Sequence, residues 1–321
     1  MKVLLTGAPS PLGRRVYQQL VSDGHEVVVL IRPEEQAAWS GPRPDVAFIE
    51  ADYVTPERYG PAIAGCEVLI HLGDICQAED HEFIRVNLKG TQGLLHAFSA
   101  WGSPRLMVLL STALLDLPSP DDPDAPTERF GSAWLATRAG AEARVAHWAR
   151  RTGVETVVLR AGHPFGAAGI DGPLSGWLDQ SAASAESDGK LALDGADTPL
   201  PFVQVDELAD AITRRVQGEA MPGERRLVAK LSRAEAVGLL GTLRETHDLL
   251  CRRTERSPSL TTQKGSLGRR LLSTLSPGRA LPGTAAFLRR APVKGPNPAW
   301  VERYGQRSLG DVVDALVGGA C

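Results

Sequence analysis

Lys2-Val3-Leu4-Leu5-Thr6-Gly7-Ala8-Pro9-Ser10-Pro11-Leu12-Gly13-Arg14-Arg15 carries a short apolar run through a glycine turn into a helical pattern. Val3 to Leu5 reads as a buried strand and Gly13 to Ser22 as the helix that follows it. A glycine turn at that junction lets backbone N–H groups and the positive end of the helix approach a pyrophosphate. The turn therefore predicts a nucleotide site with Thr6, Gly7, Ser10, Leu12, Gly13 and Arg14 as candidate residues. The alternative is a turn that is only structural.

Further apolar, β-branched runs follow at Val27 to Ile31, Val46 to Ile49, Val68 to Leu72, Leu106 to Leu110 and Val154 to Leu159. Helical patterns lie between them, notably His81 to Ala100 and Phe130 to Thr152. Continuous apolar strands alternating with helices mean a parallel sheet covered on both faces, so the fold class is doubly wound α/β of the Rossmann type. After Arg160 the chain turns rich in Gly and Pro, with one short helix expected around Trp177. Leu200 to Val205 returns as a strand-like run, followed by a helix from Asp206. A Ser232-x-x-Glu235 pair ahead of an apolar period predicts a capped helix from about Arg233 to Leu250. The expected division is a dinucleotide-binding domain over residues 1–162, rejoined by about 201–216, with 163–200 and 217–321 as a loop-rich substrate cap. Ser257 to Pro298 reads either as a lid over the substrate side or as a solvated linker.

The 321 residues suffice for a sizeable core without disulfides or metals. A net charge of -3 supplies no global attraction to nucleic acid or membrane, and no apolar run approaches the roughly 20 residues of a membrane helix. Cys66, Cys76, Cys251 and Cys321 are scattered, so no metal site is expected and a reducing cytoplasm is the simpler setting. No secretion signal opens the chain, because Gly7 and Pro9 interrupt the first apolar run.

The second strand ends at Ile31-Arg32-Pro33, where an acidic residue would meet a ribose diol and an arginine would pair with a 2′-phosphate. Arg32, helped by Arg14 or Arg15, thus favours NADP, with NAD or no cofactor as the less expected outcomes. A surface charge at a strand end is the other reading of Arg32.

Thr6-Gly7 to Gly13, Asp52 after the third strand, Leu69-Ile70-His71-Leu72-Gly73, Val86-Asn87-Leu88-Lys89-Gly90-Thr91, Leu110-Ser111-Thr112-Ala113, Leu159-Arg160-Ala161-Gly162-His163-Pro164-Phe165-Gly166 and Phe202 to Ala209 occur in an order and spacing that cover residues 3–216. They resemble the extended, atypical short-chain dehydrogenase/reductases of the NAD-dependent epimerase/dehydratase kind. The resemblance implies that Asp52 meets the adenine, that Asn87 maintains a kink or water link in its helix, and that Thr112 hydrogen-bonds a substrate oxygen, the other reading of Thr112 being a strand-end threonine bonded to backbone. It also implies a homodimer through the helices around 81–100 and 130–152, and a small-molecule substrate. In the family the active-site helix carries Tyr-x-x-x-Lys; here the matching positions hold Trp134 and Arg138. An indole N–H only donates hydrogen bonds and a guanidinium is permanently charged, so the usual acid/base is absent. Trp134 either stacks on nicotinamide or substrate or fills an unused site, and Arg138 can still hold ribose hydroxyls.

Replacement acid/base candidates are His71, Asp74, His81, Asp116 and His163, all expected near the C-terminal ends of strands. His163 is preferred because it opens the substrate-side loop and an ordinary imidazole titrates near neutrality; a loop or core histidine is the plainer reading. The expected function is an NADP-dependent oxidoreductase or epimerase working on a small carbonyl or hydroxyl substrate without the usual dyad. The alternatives are a non-redox cyclase, dehydratase or isomerase, and an inactive nucleotide-binding protein.

Overall fold

A computed structural model describes residues 1–39, 47–76, 78–115, 133–166, 169–170, 190–192, 199–253, 259–261 and 295–318. Asp116, the segment around Trp177 and most of 257–298 lie outside the described residues. The six expected strands are present as β1 (Lys2–Thr6), β2 (Glu26–Ile31), β3 (Ala47–Glu50), β4 (Val68–His71), β5 (Leu106–Thr112) and β6 (Glu155–Ala161). They pair in parallel in the order β3-β2-β1-β4-β5-β6, a Rossmann sheet whose order reverses between β1 and β4. Strand alternation splits the core in two. Val3, Leu5 and Val29 pack beneath α1 (Pro11–Ser22), while Leu4, Val28 and Leu109 pack beneath α4 (Thr91–Trp101) and α5 (Ala133–Thr152).

The helix expected over His81 to Ala100 is built in three windings. A short α-turn, α3 (Asp80–Phe83), leads into a wide π-helical stretch over Ile84–Gly90, which narrows into α4. Such widening is common at functional sites, and it falls on the Val-Asn-x-x-Gly-Thr motif.

Two expectations are corrected beyond β6. The segment Leu231–Ala236 is not the start of a helix but a strand, β12, paired in parallel with β6 from Leu231 opposite Thr156 to Ala236 opposite Ala161. Ser232 uses its hydroxyl on the Glu224 carboxylate at 2.6 Å instead of capping a helix. Pairing with the open edge of β6 satisfies a whole row of backbone groups, which outweighs one local cap. Only Leu243–Arg253 is helical. The strand β11 (Arg225–Val228) then adds antiparallel to β12, so residues 225–236 extend the central sheet although the expected boundary gave them to the cap.

A second sheet, in the order β13-β10-β7-β8, begins where β6 ends. It contains β7 (His163–Gly166), β8 (Gly169–Ile170), β10 (Leu200–Gln204) and β13 (Leu239–Gly241). A short pair, β9 (Lys190–Ala192) with β14 (Ser259–Thr261), is separate from both. The helix Val205–Val216 contributes Leu208 and Ile212 to the same core as Val16 and Leu20 of α1. Trp300, fully buried in the helix Pro298–Tyr304, donates its indole N–H to Glu207 at 2.9 Å and pins the C-terminal segment there. Among the described residues no helix is long and apolar enough to cross a membrane, and no cluster of His, Cys, Asp and Glu could hold a metal ion.

Candidate active site

The glycine turn is shaped by close approach. Gly7 has φ of 73°, and a Cβ there would lie 2.6 Å from the backbone of Leu72 and Gly73. A Cβ on Gly13 would lie 2.0 Å from the Gly7 carbonyl oxygen. Both glycines are therefore required by the meeting of β1, α1 and the loop after β4. Ser10, standing where the family has its middle glycine, is the N-cap of α1: its hydroxyl accepts the Gly13 N–H at 3.0 Å. The departure from the motif is thus a helix cap.

Thr6 lies just beneath this turn and fixes the switch point. The Thr91 hydroxyl donates to the Asn87 carbonyl at 2.6 Å, so its oxygen accepts from His71 Nε2 at 3.0 Å. His71 Nδ1 is then an acceptor for the Thr6 hydroxyl at 2.8 Å, and Thr6 in turn accepts the Gly73 N–H at 3.2 Å. Every proton in this chain of bonds has one place to go, which requires a neutral imidazole. Burial, aided by the nearby Arg138 charge, pushes His71 down to about 3. His71 is thereby a structural tie between β1, β4 and α4.

A cleft enclosing about 720 Å³, open solvent included, runs along the C-terminal ends of the central strands. Gly7, Ser10, Leu12 and Glu35 line one end; Cys76, Thr112, Trp134, Arg138 and His163 line the other, with Gly73 and Asp74 among the residues that complete the wall. Thr112 accepts the Leu114 N–H at 3.2 Å, which leaves its hydroxyl proton as a donor. Arg138 is held by Asp74 at 3.3 Å and by donation to the Leu110 carbonyl. Trp134 belongs to an apolar cluster with Phe83, Leu115, Leu135 and Phe165.

Asn87 reaches out of its helix to the loop after β4. Its carboxamide accepts the Ile75 N–H at 2.8 Å and donates to the Ile75 carbonyl at 2.9 Å, so one side chain clamps the loop that carries Asp74. Behind the cleft, Glu142 of α5 is 0% exposed and receives Arg160 at 2.9 and 2.7 Å, Ser111 at 2.5 Å and Arg233 at 3.6 Å. This group ties α5 to β5, β6 and β12.

The remaining acid/base candidates separate clearly. His163 lines the cleft but is 3% exposed, and burial pushes its imidazole down to about 3, so it is neutral at pH 7 and not the near-neutral acid/base expected of it. His81 has a side chain 78% exposed, lies 3.5 Å from Glu82, and does not line the cleft. Asp74 reaches the cleft as the partner of Arg138.

At the β2 end, Arg32 is 7% exposed and bound by Glu35, which takes its guanidinium at 2.8 Å and its backbone N–H at 2.9 Å. Arg14 spends its guanidinium on the carbonyls of Pro9 at 3.1 Å and Ala38 at 2.7 Å, and Arg15 pairs with Asp206 at 2.7 Å. Asp52 is engaged by Arg85, which also holds Glu82 at 2.7 Å.

Glu35, Cys76 and Glu142 were not among the expected site residues. Glu35 had one available signal, its position three residues beyond Arg32 across Pro33. Cys76 had only its place after the His71-Leu72-Gly73 motif, and Glu142 had none, since its partners come from β5, β6 and β12.

Residues 3–228 match the model of the NAD dependent epimerase/dehydratase family. A 4-hydroxy-2-methyl-3-oxo-4-farnesyl-3,4-dihydroquinoline-1-oxide ketoreductase from Stigmatella aurantiaca is 31% identical over 176 residues, 52% of this chain and 51% of that protein. A ketoreductase from Cercospora nicotianae is 29% identical over 128 residues, 34% of this chain and 36% of that one. The chain spans about half or less of the length of these curated relatives. Among solved structures, UDP-glucose 4-epimerase from Thermus thermophilus in complex with NAD superposes with a TM-score of 0.68 at 17% identity, covering 100% of this chain and 99% of that one. A UDP-glucuronic acid 4-epimerase from Bacillus cereus gives 0.68 at 16% identity, with 98% and 97% covered. At such identities the likeness is one of fold. The glycine turn, the sheet order and the family match over residues 3–228 together show that the chain belongs to the NAD dependent epimerase/dehydratase family.

Proposed function

We propose that this protein is an oxidoreductase or epimerase that binds a nicotinamide dinucleotide along the ends of β2, β1, β4 and β5 and acts on a small substrate bearing a carbonyl or hydroxyl group. One observation carries the reading: the residues at the family's chemical positions, Thr112, Trp134 and Arg138, line the same cleft as the glycine turn. The turn fits the dinucleotide, because Gly7 and Gly13 let β1, α1 and the loop after β4 meet closely and so bring the N-terminus of α1, with Ser10 and Leu12, to the cleft. The ketoreductase names of the relatives from Stigmatella aurantiaca and Cercospora nicotianae support redox chemistry on a carbonyl.

A bound nicotinamide would supply or accept a hydride. The chain's own part is to hold the substrate oxygen and stabilise its charge. The Thr112 hydroxyl donates a hydrogen bond to that oxygen, and the Arg138 guanidinium, kept in place by Asp74 and the Leu110 carbonyl, offsets the negative charge that builds on it. Arg138 does not release a proton, so the oxygen takes its proton from a water at the mouth of the cleft and the hydroxide left behind passes to bulk solvent. Trp134 walls the site and excludes water from its apolar side.

A second reading, a nucleotide-binding protein without turnover, is favoured by the burial of Trp134 in an apolar cluster where the family keeps its phenol. Titration with reduced and oxidised dinucleotides, followed by tryptophan fluorescence, and turnover of ketones, aldehydes and alcohols separate the two. The proposal expects binding and turnover, with kcat/KM lowered about 10²-fold in Thr112→Ala and Arg138→Ala. Absence of dinucleotide binding would sink it; binding without turnover on any substrate class would favour the second reading.

A further inference from the structure

We infer that Glu35 sets the choice of dinucleotide and makes the site select NAD(H) over NADP(H), against the direction suggested by an arginine at the end of β2. The inference rests on the proposed nucleotide site and specifies its adenosine end. The sheet order puts β2 on the far side of β1 from β4 and β5, so the half of a dinucleotide remote from Thr112 and Arg138 lies by the residues that follow β2. Of those residues, Glu35 lines the cleft and Arg32 does not.

The reason is local. Pro33 starts a short 3₁₀ helix over Pro33–Ala38, and the third residue of that helix, Glu35, folds back on the residue before it. One carboxylate oxygen accepts the Arg32 N–H at 2.9 Å and the other takes the Arg32 guanidinium at 2.8 Å. The same guanidinium lies 6.0 Å from the centre of the Tyr53 ring, turned into the protein. The cation is thus neutralised at its base, and the cleft is offered carboxylate oxygens. A ribose diol donates hydrogen bonds to such acceptors, whereas a 2′-phosphate brings close to two negative charges against them.

The neighbouring cations among the described residues are committed elsewhere. Arg14 is spent on two backbone carbonyls and Arg85 on Asp52 and Glu82. Glu34, 3.9 Å from Arg32 and 4.0 Å from Arg85, adds a further negative charge to the same rim.

The test is the affinity of the purified full chain for NADH and NADPH, by quenching of tryptophan fluorescence, in the wild type, Glu35→Gln and Glu35→Ala. The wild type is expected to bind NADH at least about tenfold more tightly than NADPH. Glu35→Gln keeps the side-chain size and removes the charge; Glu35→Ala also frees Arg32. Both are expected to close the gap, chiefly by tighter NADPH binding, with Glu35→Ala going furthest. A wild type that binds NADPH as tightly as NADH overturns the inference while leaving the nucleotide site intact. So does an unchanged ratio in both variants, their folding checked by circular dichroism. Binding of neither dinucleotide by the wild type overturns the proposed function as well. If both variants fail to fold, the wild-type ratio decides alone.

Discussion

Glu142 shows how a single residue can hold the frame of a site without touching it. Its fully buried carboxylate is shared by Arg160, Arg233 and Ser111, which come from three neighbouring strands of the sheet. A carboxylate with this many donors is tolerable in the interior; the arginines left behind by its removal are not. Glu142→Ala is expected to cost about 3–5 kcal/mol of stability, read from the urea midpoint at constant slope. A loss below about 1 kcal/mol would mean that water takes over the carboxylate's bonds. At this scale legibility follows sequence distance. Gly7 was readable through the left-handed φ of the turn it sits in, Gly13 through the Gly7 carbonyl it packs on, and Arg160 as a motif letter. The role of Arg32 was not, because the guanidinium's direction is decided by a carboxylate that reaches back from the next turn. His163 was legible as a cleft residue but not as a neutral one, since its burial depends on Phe202 from β10, whose ring is 5.9 Å away.

At the scale of elements, the same logic separates two motifs. The wide helical stretch over Ile84–Gly90 falls on the motif whose asparagine implies a kink, and its Asn87 reaches across to both backbone groups of Ile75. The Ser232-x-x-Glu235 pattern has all the local marks of a helix start and forms β12 instead, because the edge of β6 is available to it and a helix cap is worth only about 1 kcal/mol. Local chemistry decided where nothing competed. The Asn87 clamp can be tested directly: Asn87→Ala removes both bonds to Ile75 and is expected to cost about 1–3 kcal/mol. More specifically, it should free the loop that carries Asp74, so that hydrogen exchange at the Ile75 amide accelerates while exchange in β1 and β5 keeps its wild-type rate. Asn87→Asp, which keeps the acceptor and loses the donor, should fall between. Uniform acceleration across the sheet would indicate a general loss of stability and not a clamp.

For the whole molecule, the alternation of apolar strands and helices made the Rossmann core legible. The second sheet and the extension through β12 and β11 were not, because both are held by pairings between segments distant in sequence. Folding buries the imidazoles of His71 and His163, and this has a consequence for the stability of the molecule as a whole. Burial pushes both His71 and His163 from an ordinary 6.5 down to about 3, helped at His71 by Arg138. Above pH 6.5 both are neutral whether the chain is folded or not, and they add no pH dependence. Below it the unfolded chain takes up protons that the folded chain refuses, so stability falls as the pH drops from about 6.5 toward about 3. Each buried histidine contributes up to about 1.4 kcal/mol per pH unit to that fall. Carboxylates with folded-state partners steepen the lower part of the same range, so the informative quantity is a difference between variants. His163→Phe, which keeps an aromatic ring beside Phe202, is expected to flatten the slope of unfolding free energy between about pH 6 and pH 4 by about 1.4 kcal/mol per unit. His71→Asn should do the same against a lower baseline, since it also breaks the chain of bonds from Thr6 to Thr91. A His163→Phe slope equal to the wild type's would mean that this imidazole takes up its proton without unfolding, by opening the cleft.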